Sequence, residues 1–238
     1  MEIHRSSPLA SPIHACIIDL DGTLIDTLGD FEVALNTMLA ELKRPSVSHA
    51  EIGRWVGKGS EHLIKTALMN TTPAAGAGDD AAADSLMPAA WRYYQDAYLR
   101  INGQHSTVFT GVEEGLAALK AKGLALACLT NKPLSFALPL LEAKGLSAYF
   151  THVFGGDSFA RKKPDPLPLI ETCKALGCAP SETLMIGDSA NDAQAARAAG
   201  CPVLLTTYGY NHGEPVREVD ADGFIDSLAE AKQWIEHP

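Results

Sequence analysis

Short apolar runs closed by acids or turn residues recur along the chain: IHACIID, LALACLT, THVFGG, TLMIGD and CPVLLTT. They are apolar without a polar alternate, the pattern of a strand covered on both faces. Between and around them the apolar positions return every three or four residues. This predicts helices over Gly111 to Lys122, Leu134 to Lys144, Pro166 to Leu176 and Ala190 to Ala199. Strands alternating with helices predict βαβ units and a parallel sheet, an α/β core of Rossmann-like type.

Residues 27–101 break that alternation. DFEVALNTMLAEL, SEHLIKTALM and DSLMPAAWRYYQDAYLRI carry helical periodicity with no strand between them. The expected organisation is a core formed by residues 1–26 and 102–238, with a helical domain inserted at 27–101. Within the insert, NTTPAAGAGDDAAAD is rich in Ala and Gly and poor in large apolar residues, and reads as a surface loop. Trp91, Tyr93, Tyr94 and Tyr98 fall on one helix at spacings that suit packing against neighbouring helices.

Composition narrows the function classes. A 46% hydrophobic chain of 238 residues can bury a large core. A formal charge of -10, with no long Lys/Arg cluster, argues against a nucleic-acid surface and suits divalent metal. No apolar run reaches spanning length, and Met1 to Pro12 have no apolar core of a leader, so no membrane partner is expected. The five cysteines include no CxxC pair and read as buried reduced thiols. These features point to a soluble cytoplasmic protein, monomer or homodimer.

The chemistry concentrates where the apolar runs end. ACIIDLDGTLID places Asp19 and Asp21 on one side of an extended chain, with Gly22 allowing a turn and Thr23 able to hydrogen-bond it. CLTNKP offers Thr130 and Asn131; GGDSFARKKPDP offers Lys162 and Lys163; MIGDSANDAQAARAAG offers Asp188 and Asp192. Each has a structural reading as a turn, cap or solvated loop residue. Parallel strands, however, bring their C-terminal ends to one edge, where ligands bind. Several carboxylates, a hydroxyl and a lysine would then share a crevice, an arrangement suited to Mg²⁺ and a phosphoryl group.

DLDGTLID, LTNKP, KKPDP and GDSAND, in that order, resemble the four motifs of the haloacid dehalogenase superfamily of phosphohydrolases. The helical insert resembles that superfamily's α-helical cap, set between its first and second motifs. WVGKGSEHLIKTAL and GDSANDAQAARAAGCPVLLTTYGYNHGEP resemble more narrowly its bacterial phosphoglycolate phosphatase branch; the tail beyond Pro215 is less telling. The resemblance implies Asp19 as nucleophile and Asp21 as acid and base. It implies Mg²⁺ held by Asp19, Asp188 and the Asp21 carbonyl, and phosphate held by Thr130, the Asn131 backbone and Lys163. Asp192 would orient Lys163 or a metal-bound water, or bind the metal directly. The implied reaction hydrolyses a small phosphorylated metabolite, 2-phosphoglycolate in that branch, through an aspartyl-phosphate.

Asp26 and Thr23 read as turn and helix-start residues, His212 as a loop residue, and Tyr208 and Tyr210 as packing. In the insert, Gly57, Lys58 and Gly59 form a candidate specificity loop: Lys58 or the nearby amides meet a substrate carboxylate, or Lys58 is simply solvated. The rival functions are a capped sugar-phosphate phosphatase or mutase of the same superfamily, and a non-catalytic phosphate-binding or phospho-accepting protein.

Overall fold

Ala15–Ile18 form strand β1 with every side chain buried, as an apolar run without alternation requires. The computed structural model describes residue 9, residues 12–71 and residues 80–235. In it β1 pairs in parallel with β4 (Ala125–Leu129) and with β6 (Thr183–Gly187). β5 (His152–Phe154) lies beyond β4, and β7 (Val203–Thr206) and β8 (Gly223–Ile225) lie beyond β6. The result is a parallel six-stranded sheet in the order β5-β4-β1-β6-β7-β8.

Alternate side chains of each strand feed opposite faces. Cys16 and Ile18 join a core with Leu126, Cys128, α5 (Val112–Ala121) and α6 (Leu134–Ala143). Ile17 instead joins Leu129, Met185, α7 (Leu167–Leu176) and α8 (Ala190–Ala199). Helices on both faces explain why these strands tolerate so few polar residues. The last α7 and α8 turns end at Gly177 and Gly200 in the left-handed conformation, which closes each helix before the next strand.

Four helices, α1 (Leu28–Glu41), α2 (His49–Trp55), α3 (Ser60–Asn70) and α4 (Asp80–Ile101), enclose a separate core that includes Leu35, Met38, Ile52, Leu63, Tyr94 and Tyr98. Phe136 of α6 and Tyr210 from the loop after β7 also enter it, so the helical layer is fastened to the sheet layer by apolar contact. The chain leaves the sheet through β2 (Ile25–Asp26) and returns through β3 (Thr107–Val108), which pair antiparallel. Buried Asp30 accepts hydrogen bonds from the Gly103 and His105 amides, both at 2.8 Å, and pins the returning segment.

Several local expectations are corrected. α2 and β8 carry too few apolar residues to show a period and add to the elements that the pattern predicts. The expected loop is helical from Asp80 to Asp84, where α4 begins; residues 72–79 lie outside the described residues. Thr23 Oγ1 is buried with no hydrogen-bond partner among the described residues. The turn it was expected to bind is closed by backbone instead, Gly22 N donating to Ile25 O and Leu24 N to Leu20 O, both at 2.9 Å. Cys16, Cys128, Cys173 and Cys201 are buried free thiols, while Cys178 is half-buried. Among the described residues no helix is long and apolar enough to cross a membrane.

Candidate active site

Asp19, Thr130 and Asp188 directly follow β1, β4 and β6, which are neighbours in the sheet. Their side chains therefore meet at the C-terminal edge of the sheet. Gly22, with φ +84, turns the chain beside them; a Cβ there would lie 2.0 Å from Asp188 Oδ2, so only glycine permits this approach. Asp19, Asp21, Thr130, Asn131, Lys163 and Asp192 line one cavity, which holds about 450 Å³ of empty space, part of it open to solvent.

Lys163 reaches this edge from the loop between β5 and α7. Its buried ammonium lies 2.9 Å from Asp19 Oδ1 and 2.7 Å from Asp192 Oδ1, and it also donates to Leu129 O at 2.9 Å. Burial pulls the Lys163 ammonium down, but Asp19 and Asp192 outweigh it and hold its pKa above the ordinary lysine range. Asp192 spends its other oxygen on the Ser189 hydroxyl at 2.8 Å and on the Asp188 and Ser189 amides at 3.2 Å each. With both oxygens engaged, Asp192 caps α8 and fixes the lysine.

Oxygens of Asp19, Asp188 and Asp192 lie within 4.8 Å of one another, all three residues buried. Burial, then the neighbouring Asp192 and Asp19, lift Asp188 well above the usual carboxylate range. Burial likewise pushes Asp19 up to about 7, against the pull of Lys163. One ammonium does not balance this cluster. A cation bound by hard oxygen donors would, and the donor set fits one.

The loop between α2 and α3 closes over the cavity. Gly57 O accepts from the side-chain amides of Asn131 and Asn191, each at 3.1 Å, and Glu61 pairs with Lys162 at 3.1 Å. Gly57 and Gly59 line the cavity with positive φ of +110 and +89. Lys58 between them is exposed and does not line it. Burial and the charge of Lys58 together hold His62 and His212 below the ordinary histidine pKa. Asn131 does more than its expected backbone role: its side chain also donates to Lys163 O at 2.9 Å and accepts from Lys163 N at 3.0 Å.

Four roles escaped the sequence. Tyr210 N donates to Asp188 Oδ2 at 2.5 Å, and its hydroxyl bonds Asp26 and, at 2.9 Å, the Thr27 amide, so it is more than packing. Tyr208 donates to Thr23 O at 2.9 Å. Asn191 and the ring of His212 meet at 3.3 Å beside Gly57, at a distance from the loop that no spacing rule reveals. Buried Lys132 lies 2.8 Å from Asp21 Oδ1; its place directly after Thr130 and Asn131, at a strand end, was the available signal.

Comparison with known proteins gives the family. The model of the haloacid dehalogenase-like hydrolase family matches residues 13–200. The chain is 48% identical over 232 residues to a phosphoglycolate phosphatase of Thiobacillus denitrificans, covering 97% of this chain and 98% of that one. It is 45% identical to a phosphoglycolate phosphatase of Nitrosospira multiformis, covering 94% and 96%. A crystal structure of a predicted phosphoglycolate phosphatase from Haemophilus somnus superposes with a TM-score of 0.85 at 31% identity, covering 93% of this chain and 97% of that one. A match over most of the chain, to a fold whose strand ends gather acids and a lysine in one cavity, makes the protein a member of the haloacid dehalogenase-like hydrolase family.

Proposed function

We propose that the protein is a Mg²⁺-dependent phosphomonoester hydrolase that converts 2-phosphoglycolate to glycolate and phosphate through an aspartyl-phosphate on Asp19. The observation that carries the reaction class is the meeting of Asp19, Asp21 and Lys163 in a cavity roofed by the Gly57 loop. The substrate rests on the relatives' names. Five free cysteines fit a reducing, cytoplasmic setting.

In this reading Asp19 attacks phosphorus, forming an O–P bond as the bridging oxygen leaves. Asp21 donates a proton to that oxygen and later takes one from the water that hydrolyses the acyl-phosphate, which returns Asp19 as a carboxylate. Lys163, held by Asp192, keeps Asp19 in position and offsets charge on the phosphoryl oxygens. Thr130 and the Asn131 backbone bind those oxygens. Asp19, Asp188 and the Asp21 carbonyl would hold Mg²⁺, which when bound neutralises the clustered acids and stabilises charge that develops on the phosphoryl group. The loop of Gly57 and Gly59 excludes water from the acyl-phosphate until the alcohol has left.

The test is phosphate release with Mg²⁺ from 2-phosphoglycolate, glucose 6-phosphate, glycerol 3-phosphate, a nucleoside monophosphate and pyrophosphate. A clear kcat/KM preference for 2-phosphoglycolate is expected. Better turnover of a sugar phosphate would move the substrate to the rival reading, and no release from any would favour a phosphate-binding protein.

A further inference from the structure

Among the described residues, the steps above leave one buried lysine unused. Lys132 follows Asn131 in the loop after β4, and its side chain is 1% exposed. Its Nζ lies 2.8 Å from Asp21 Oδ1 and stands 4.3 Å from the ring centre of Phe31 and 4.8 Å from that of Tyr98. One ring comes from α1 and the other from α4, so the ammonium sits where the helical layer meets the sheet edge, in the wall of the active cavity. Burying an ammonium costs several kcal/mol before compensation. A carboxylate and two ring faces offset that cost, yet an ordinary core position would carry no charge at all.

We infer that Lys132 recognises the carboxylate of the substrate and is the residue that selects carboxylated phosphate esters; this assignment rests on the phosphatase reading above. Chain length supplies the argument. The bridging oxygen must come within hydrogen-bond reach of Asp21 to be protonated, and Lys132 is within hydrogen-bond reach of the same Asp21 carboxylate. In 2-phosphoglycolate the carboxylate carbon is two bonds from the bridging oxygen. A leaving group that short has its negative end within reach of Lys132, which lines the cavity, whereas exposed Lys58 does not line it. Phe31 and Tyr98 hold the ammonium in a site with little water, where a charged contact discriminates more strongly than it does at the surface.

A larger leaving group fares worse. Phe31, Val56 and Leu63 line the same cavity and give a hydroxylated ring apolar wall to desolvate against, with Ser60 the polar side chain between Val56 and Leu63. A neutral two-carbon ester fits but leaves Lys132 paired only with Asp21.

The experiment compares kcat/KM for 2-phosphoglycolate and for ethyl phosphate, which has a methyl in place of the carboxylate, in wild type, Lys132→Met and Lys132→Arg. The ratio between the two substrates is the readout, because any effect through Asp21 lowers both. In Lys132→Met the ratio should fall by at least about tenfold, chiefly through KM for 2-phosphoglycolate, as loss of a charge-assisted contact implies. Lys132→Arg should keep most of it. Melting curves with and without Mg²⁺ report whether each variant folds; should the Met variant fail, Lys132→Gln retains a donor for Asp21 and carries the same comparison. A ratio within about threefold of wild type in the neutral variant overturns the assignment alone. Wild type with no preference for 2-phosphoglycolate over ethyl phosphate removes the substrate reading, and the assignment with it.

Discussion

The proposed mechanism needs Asp19 ionised in a place that resists ionisation. Its carboxyl, pushed up to about 7 by burial, binds a proton more tightly in the folded protein than in the unfolded chain, where an aspartate titrates near 4. Without metal, then, folding stability should fall as pH rises from about 4 through about 7, because the folded state must surrender a proton it holds more tightly. Melting curves in chelator between about pH 5 and about pH 8 should show a declining melting temperature, and Asp19→Asn should flatten part of that slope. A flat profile in the wild type would contradict the burial argument. The same Asp19→Asn substitution keeps the size of the side chain and removes the proposed nucleophile. Turnover should vanish while the fold persists, and activity within about tenfold of wild type would rule out the nucleophilic role.

The loop between α2 and α3 turns local backbone geometry into a roof for the cavity. Gly57 has φ +110, and a Cβ on it would lie 2.9 Å from the His212 ring. Gly57→Ala should therefore both strain the loop, at a cost of roughly 1–3 kcal/mol, and push it from the Asn131 and Asn191 amides. We expect kcat/KM to drop by at least about tenfold and the melting temperature to fall by roughly 2–12 °C; an unchanged kcat/KM would mean that the loop does not shape the site. This element also marks the border of what the sequence discloses. β1, β4 and β6 are legible because buried central strands need unbroken apolar runs, and the chemistry at their ends is legible because each acid interrupts such a run. α2 is seven residues long, too short for periodicity, although Ser48 and Glu51 form a capping box that announces its start. β8 is a three-residue edge strand whose pairing comes from the register of β7 rather than from its own pattern. Lys132 and Tyr210 act across separations of 111 and 22 residues, which no local rule encodes.

For the molecule as a whole, the proposed metal site would make stability and catalysis depend on the same ion. A metal that binds only the folded state stabilises it by mass action, about 2.7 kcal/mol at a free concentration one hundred times Kd. In a protein of this size that corresponds to a rise in melting temperature of roughly 5–10 °C. Titrating Mg²⁺ into chelator-treated protein should show the rise, and Asp188→Ala should abolish most of it; an equal rise in that variant would place the metal elsewhere.

The antiparallel pairing of β2 with β3 sets Ile25 opposite Val108 and Asp26 opposite Thr107. To the sheet, everything between these residues is a single loop whose ends are already held together. Lengthening such a loop is inexpensive, since each doubling adds only about 0.6 kcal/mol of closure entropy. The segment can therefore grow, shrink or be exchanged over generations while the acids at the strand ends stay in register. Inheritance can change what the enzyme accepts without touching how it reacts.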